Sequence, residues 1–111
     1  MKISSKIISD IKSYSIENSH KEVCGFIVQK ENDFIFIPVE NKHPDQVNFF
    51  LISPKDYLSI KNRYEIIYFF HSHIDNEFFS KLDILYQKYH NIDMLLYNIE
   101  TDELKELKCK S

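Results

Sequence analysis

This chain of 111 residues contains no tryptophan, and Gly25 is its one glycine. So little glycine argues against all-β architectures built on many tight turns. Two cysteines, Cys24 and Cys109, are too few and too dispersed for a disulfide framework or for a zinc knuckle made of close pairs. They read as reduced thiols. Basic residues are not in excess: 14 Lys and Arg against 17 Asp and Glu leave a formal net charge of −3. That balance gives no electrostatic footprint for nucleic acid or anionic lipid. The longest clean apolar run, Ile66 to Phe70, is far short of the ~20 residues of a membrane span. The N-terminus, Met1 to Lys6, runs into alternating polar and apolar residues rather than a signal-peptide core. These absences predict a cytoplasmic, soluble protein that binds neither nucleic acid nor membrane.

What is present is ordinary for a globular chain: 43% hydrophobic and 28% charged residues. The length suits one modest core, so residues 1–111 are expected to form a single domain without disulfide staples. Ile3, Ile7, Ile8, Ile11 and Tyr14 recur at helical spacing and predict an amphipathic helix over about residues 3–19. Val23 to Gln29 and Phe34 to Val39 read as two strands of a hairpin, and Asn48 to Ile52 as a further strand. Ser53-Pro54 starts a helix running to about Asn62, with Ser as cap and Pro at the first helical position. Ile66 to His71 follows as a buried central strand. Ser80-Lys81-Leu82-Asp83 resembles a capping box, and Leu82, Leu85, Tyr86 and Tyr89 form an apolar stripe on the helix after it. Two closing strands, near Ile92 to Ile99 and Glu103 to Leu107, complete an α+β (α/β) chain with a mixed sheet flanked by helices.

The chemistry concentrates at His71-Ser72-His73. Residues i and i+2 of a strand share a face, with Cα atoms roughly 6.5–7 Å apart, so both imidazoles can meet one ion. Asp83 lies ten residues beyond His73, in the first turn of the predicted helix. Two His and a carboxylate leave a fourth tetrahedral position for water, the arrangement of a catalytic zinc, whose water titrates near pH ~7. Asp83 and Ser80 also have plain structural roles as members of a capping box.

Glu22, His71-Ser72-His73, Ser80 and Asp83 together resemble the metalloprotease motif of the JAB/MPN family, the JAMM motif. Glu22-Val23-Cys24-Gly25, Phe36-Ile37-Pro38-Val39 followed by Asn41, and Phe50 to Tyr57 are most similar to the JAB domain of phage tail-assembly proteins of the lambda K type. The resemblance implies a cytidine-deaminase-like MPN/JAB fold and a zinc (Zn2+) peptidase or isopeptidase acting on a protein or peptide substrate. Phage tail proteins and the host-cell cytoplasm are the implied setting. By the same resemblance His71, His73 and Asp83 bind the metal, Glu22 is the general base, and Ser80 donates to the oxyanion. Two positions depart from the family pattern: six residues, Ile74 to Phe79, separate the second His from the Ser where seven are usual, and Ile74 stands where Pro is common.

Three other readings compete. A catalytically silent MPN-type scaffold or binding module would share the fold but lack bound metal. A cupin-like site would use Glu77 in place of Asp83, in an all-β fold. A thiol nucleophile at Cys24 beside His71 leaves the second imidazole unexplained. His20, His43 and His90 are expected to be solvated.

Overall fold

A computed structural model describes residues 3–74 and 79–109. Among them, eight elements follow in order: α1 (Ser5–Glu17), β1 (Cys24–Lys30), β2 (Asp33–Val39), α2 (Pro54–Arg63), β3 (Glu65–His73), α3 (Lys81–His90), β4 (Asp93–Asn98) and β5 (Glu103–Leu107). The helices begin where local capping chemistry dictates. Ser4, Ser53 and Ser80 each accept a backbone N–H three residues ahead, satisfying a donor that the first turn leaves open.

The strands form one five-stranded mixed sheet in the order β2-β1-β3-β4-β5. β1 is antiparallel to both β2 and β3, β3 is parallel to β4, and β4 turns back antiparallel to β5. The parallel β3–β4 step needs a crossover, which α3 supplies. Alternation along the central strands divides the interior into two cores. Ile7, Ile11, Ile27, Tyr68, Phe70 and Leu95 pack on the α1 side. Cys24, Phe26, Val28, Ile60, Phe69 and Met94 pack on the side of α2 and α3. The central strand is thus apolar on both faces, as its sequence predicts. Among the described residues, no helix is long and apolar enough to cross a membrane.

One expected element is absent among the described residues. Residues 48–52 are not a strand. Their backbone bonds to residues 41–45: Lys42 N–H donates to Leu51 O, Phe49 N–H to Asp45 O, and Leu51 N–H to the Asn41 side chain. With those groups engaged locally, no ladder forms despite the β-favouring Phe49-Phe50-Leu51-Ile52 sequence. Most of the α3 stripe is exposed. Leu82, Leu85 and Tyr89 are 58%, 61% and 86% exposed, while Asp83 and Gln87 are buried. Of the four stripe residues, Tyr86 alone turns inward, against Phe50, Phe69 and His90.

Gly25 is required by close approach rather than by a turn. It sits opposite Pro38 in the β1–β2 ladder, and a Cβ there would lie 2.5 Å from Ile37 O and 2.9 Å from Pro38 Cα. Both obstacles are backbone, so the hairpin must shift to admit a methyl group. Gly25→Ala is expected to destabilise the fold by about 1–3 kcal/mol, measured as a lowered thermal midpoint. An unchanged midpoint would show that β2 yields freely.

Candidate metal centre

Strand alternation carries Phe69, His71 and His73 to the α2/α3 side. His71 is fully buried, His73 nearly so, and their ring centroids stand 4.9 Å apart. The Phe50 ring stacks on His71 at 4.5 Å with planes 22° apart, so the loop expected to be a strand instead clamps an imidazole.

Asp83 reaches these rings from the first turn of α3. Its Oδ2 accepts the Ser80 N–H at 2.8 Å and lies 3.0 Å from His71 Nε2 and 3.3 Å from His73 Nε2. The capping role and the site role therefore coincide in one oxygen. Burial pushes the Asp83 carboxyl up, but the His71 and His73 side chains and the Ser80 N–H outweigh it and hold the group well below the usual carboxylate range. Burial lowers the pKa of His71 against the opposing pull of Asp83. An ionised carboxylate and a neutral imidazole are the forms that bind metal.

Glu22 precedes β1. Continuing the β1–β3 register two residues beyond the Cys24–His71 pair sets it across from His73, and His73 Nε2 lies 3.8 Å from Glu22 Oε2. Ligand-type atoms of Glu22, His71 and His73 all fall within 4.8 Å of one another. The geometry thus offers two carboxylates to the same pair of imidazoles, with Asp83 the nearer.

Two residues that sequence reasoning did not assign hold Glu22 in place. Ser72 faces away from its histidine neighbours; its Oγ accepts the Val23 N–H and its own N–H donates to Val23 O, each at 2.9 Å. Asn41, 2% exposed, uses its full bonding capacity. Its Nδ2 donates to Glu22 O at 2.8 Å and Phe49 O at 2.9 Å, and its Oδ1 accepts from His43 N and Leu51 N at 3.0 Å each. Asn41 thereby ties Glu22 to the loop that delivers Phe50. Its position just after β2 was the available signal, but nothing local reveals a partner eight or nineteen residues away.

The donor set fits a zinc ion. Among the described residues His71 Nδ1 has no hydrogen-bond partner, and Nε2 has only the approach to Asp83 Oδ2 at 3.0 Å. Orphaned buried nitrogens are rare and call for a partner. A cation held by His71 and His73 with Asp83 or Glu22 would supply one, through the N and O ligands zinc prefers.

A pocket of about 440 Å³ opens from the centre to the surface, with Glu22, Ser80 and Asp83 at one end and Phe49, Leu85 and Tyr89 along its wall. Ser80 Oγ accepts the Asp83 N–H at 3.1 Å, a bond that leaves its own proton available to donate. A larger groove, about 930 Å³, runs between α1 and the β1–β2 turn, but its ionisable lining is Lys6, Asp10, Lys30, Glu31 and Asp33, without His or Cys.

The remaining candidates resolve as follows. Cys24 is buried, its thiol donates to Val39 O at 3.7 Å, and burial pushes its pKa up to about 12, which makes it a poor nucleophile. Helices against both faces of the sheet overturn the all-β cupin reading, and Glu77 lies outside the described residues. His20 is exposed, but His90 and His43 correct the expectation of solvated rings. His90 is half-buried among Tyr57, Phe69 and Tyr86, and burial lowers its pKa. His43 is half-buried against Phe49, its Nδ1 accepting the Asp45 N–H.

A mixed sheet whose central strand carries paired imidazoles to two carboxylates defines an α+β domain with a candidate metal centre. More particularly, the chain belongs to the prokaryotic homologs of the JAB domain, whose family model matches residues 5–110. Comparison with curated proteins found none that matches.

Removing the Asn41 side chain leaves the Glu22 and Phe49 carbonyls and the His43 and Leu51 amides short of a partner. Asn41→Ala is expected to lower stability by about 1–3 kcal/mol and to speed amide exchange in residues 45–52, read by calorimetry and hydrogen exchange. Unchanged exchange in that loop would refute its role as the tie.

Proposed function

We propose that this chain is a zinc-dependent peptidase or isopeptidase that hydrolyses an amide bond in a protein or peptide substrate. The observation that carries this reading is the convergence of Glu22, His71, His73 and Asp83, with Glu22, Asp83 and Ser80 lining an open pocket. His71, His73 and Asp83 hold the metal in this reading. Bound there, zinc would polarise the amide carbonyl and lower the pKa of water in its open position.

The chain's own groups supply the rest. Glu22 takes a proton from the attacking water and delivers it to the departing amine, whose nitrogen is otherwise a poor leaving group. Ser80 donates its O–H to the substrate carbonyl oxygen as negative charge builds there. Asn41 and Ser72 keep the Glu22 backbone fixed, because a shift of ~1 Å at a catalytic group can cost ~10²-fold in rate. The segments similar to lambda-K-type JAB domains support phage tail assembly as the setting, with tail proteins as substrates in the host cytoplasm.

A scaffold without catalysis is the second reading, favoured by the exposed apolar residues of α3. Metal content separates the two. Purified protein is expected to carry one zinc per chain by elemental mass spectrometry, and His71→Ala to lose it. Zinc-free protein of normal fold would favour the scaffold. Glu22→Gln is expected to keep zinc while cleavage of a peptide mixture slows by about 10²–10⁴. Undiminished cleavage by that variant would remove Glu22 from the mechanism.

A further inference from the structure

Helix α3 leaves most of its apolar stripe in water. A helix on a globular surface ordinarily turns its apolar stripe to the core. Here Tyr86 packs inward against Phe50 and Phe69, and the two buried positions are Asp83, which meets the imidazoles, and Gln87, whose Nε2 donates to Cys109 Sγ at 2.8 Å. Leu82, Leu85 and Tyr89 point outward as one stripe, on an outer face that also carries Lys81, Ile84 and Lys88. A stripe of this kind exposed to water marks a surface with a ligand.

Its location says which ligand. Leu82, Leu85 and Tyr89 line the same pocket that ends at Glu22, Ser80 and Asp83, and Phe49 (38% exposed) joins them there. Among the described residues the pocket lining contains no Lys or Arg, and its carboxylates are Glu22 and Asp83. Its volume, about 440 Å³, is that of a small-ligand site and suits one or two large side chains. An occupant of this wall is therefore continuous with whatever lies over the metal centre.

We infer that Phe49, Leu82, Leu85 and Tyr89 form a specificity subsite that receives a large apolar or aromatic side chain of the substrate, adjacent to the scissile amide. The inference rests on the peptidase reading and adds the substrate class to it. A large apolar side chain there would cover Leu82, Leu85 and Tyr89 from water, and that burial is what the contact gains.

The test uses the zinc-loaded full chain and a mixture of synthetic peptides that vary the residues within two positions of each amide. Cleavage sites are mapped by mass spectrometry. Leu, Phe, Tyr, Ile or Met is expected at one fixed position beside the cleaved bond. The double variant Leu85→Asn/Tyr89→Ser replaces two exposed side chains and so is expected to keep its zinc and its thermal midpoint. Its kcat/KM for those peptides should fall about 10–200-fold, mainly through KM, the range for removing apolar contacts from a pocket. Cleavage without flanking preference, or with a preference the double variant does not alter, would overturn the subsite and leave the peptidase reading standing. A zinc-loaded chain that cleaves no peptide would instead overturn the peptidase reading, and the subsite with it. A wild-type dimer that the double variant disperses, with cleavage unchanged, would assign the stripe to a second copy of this chain and overturn the inference.

Discussion

Two imidazoles and two carboxylates meet in one buried corner, and much of the chain is arranged to keep them there. Isolated buried charge costs several kcal/mol per ion unless it is compensated. Asp83 is compensated on three sides, by His71, His73 and the Ser80 amide at the positive end of α3. His71 is held by the stacked Phe50 ring, but among the described residues its Nδ1 has no hydrogen-bond partner, which makes a cation the natural completion of the set.

That requirement explains features that look wasteful when each is taken alone. Helix α3 turns Asp83 and Gln87 inward and leaves leucines in solvent, because the inner face must present a carboxylate to the sheet. Residues 45–52 forgo strand pairing and fold back on Asn41, because Phe50 must reach His71 while Glu22 is pinned from the other side. Ser72 interrupts the histidines to bind Val23 on the opposite face, and so aligns the entry to β1. Sheet and loop act as a frame whose purpose is local: four side chains at fixed separations.

Much of this was legible one segment at a time. The alternation of β3 placed both histidines on one face, Ser53-Pro54 and Ser80 to Asp83 located two helix starts, and the apolar spacing of residues 3–14 located α1. Each of these signals acts over a turn or a strand pair. The errors have a different origin. Phe49 to Ile52 has strand-forming residues, but strand formation needs a neighbouring ladder, and Asn41 and Lys42 engage that backbone first. The stripe Leu82, Leu85, Tyr86 and Tyr89 was seen as one face of a helix, but its spacing did not say that only Tyr86 would turn inward.

Periodicity and capping are short-range effects, so residue order alone was enough for most of the elements, the starts of α2 and α3, and the pairing of His71 with His73. Helical spacing says which side chains travel together; it does not say toward what they turn. The orientation of α3, the fold-back of the Asn41 loop, the placement of His90 among aromatic rings and the approach of Glu22 to His73 were decided by packing across the sheet. Those contacts join residues many positions apart, and their outcome depends on the competition of whole surfaces for the interior rather than on any local preference.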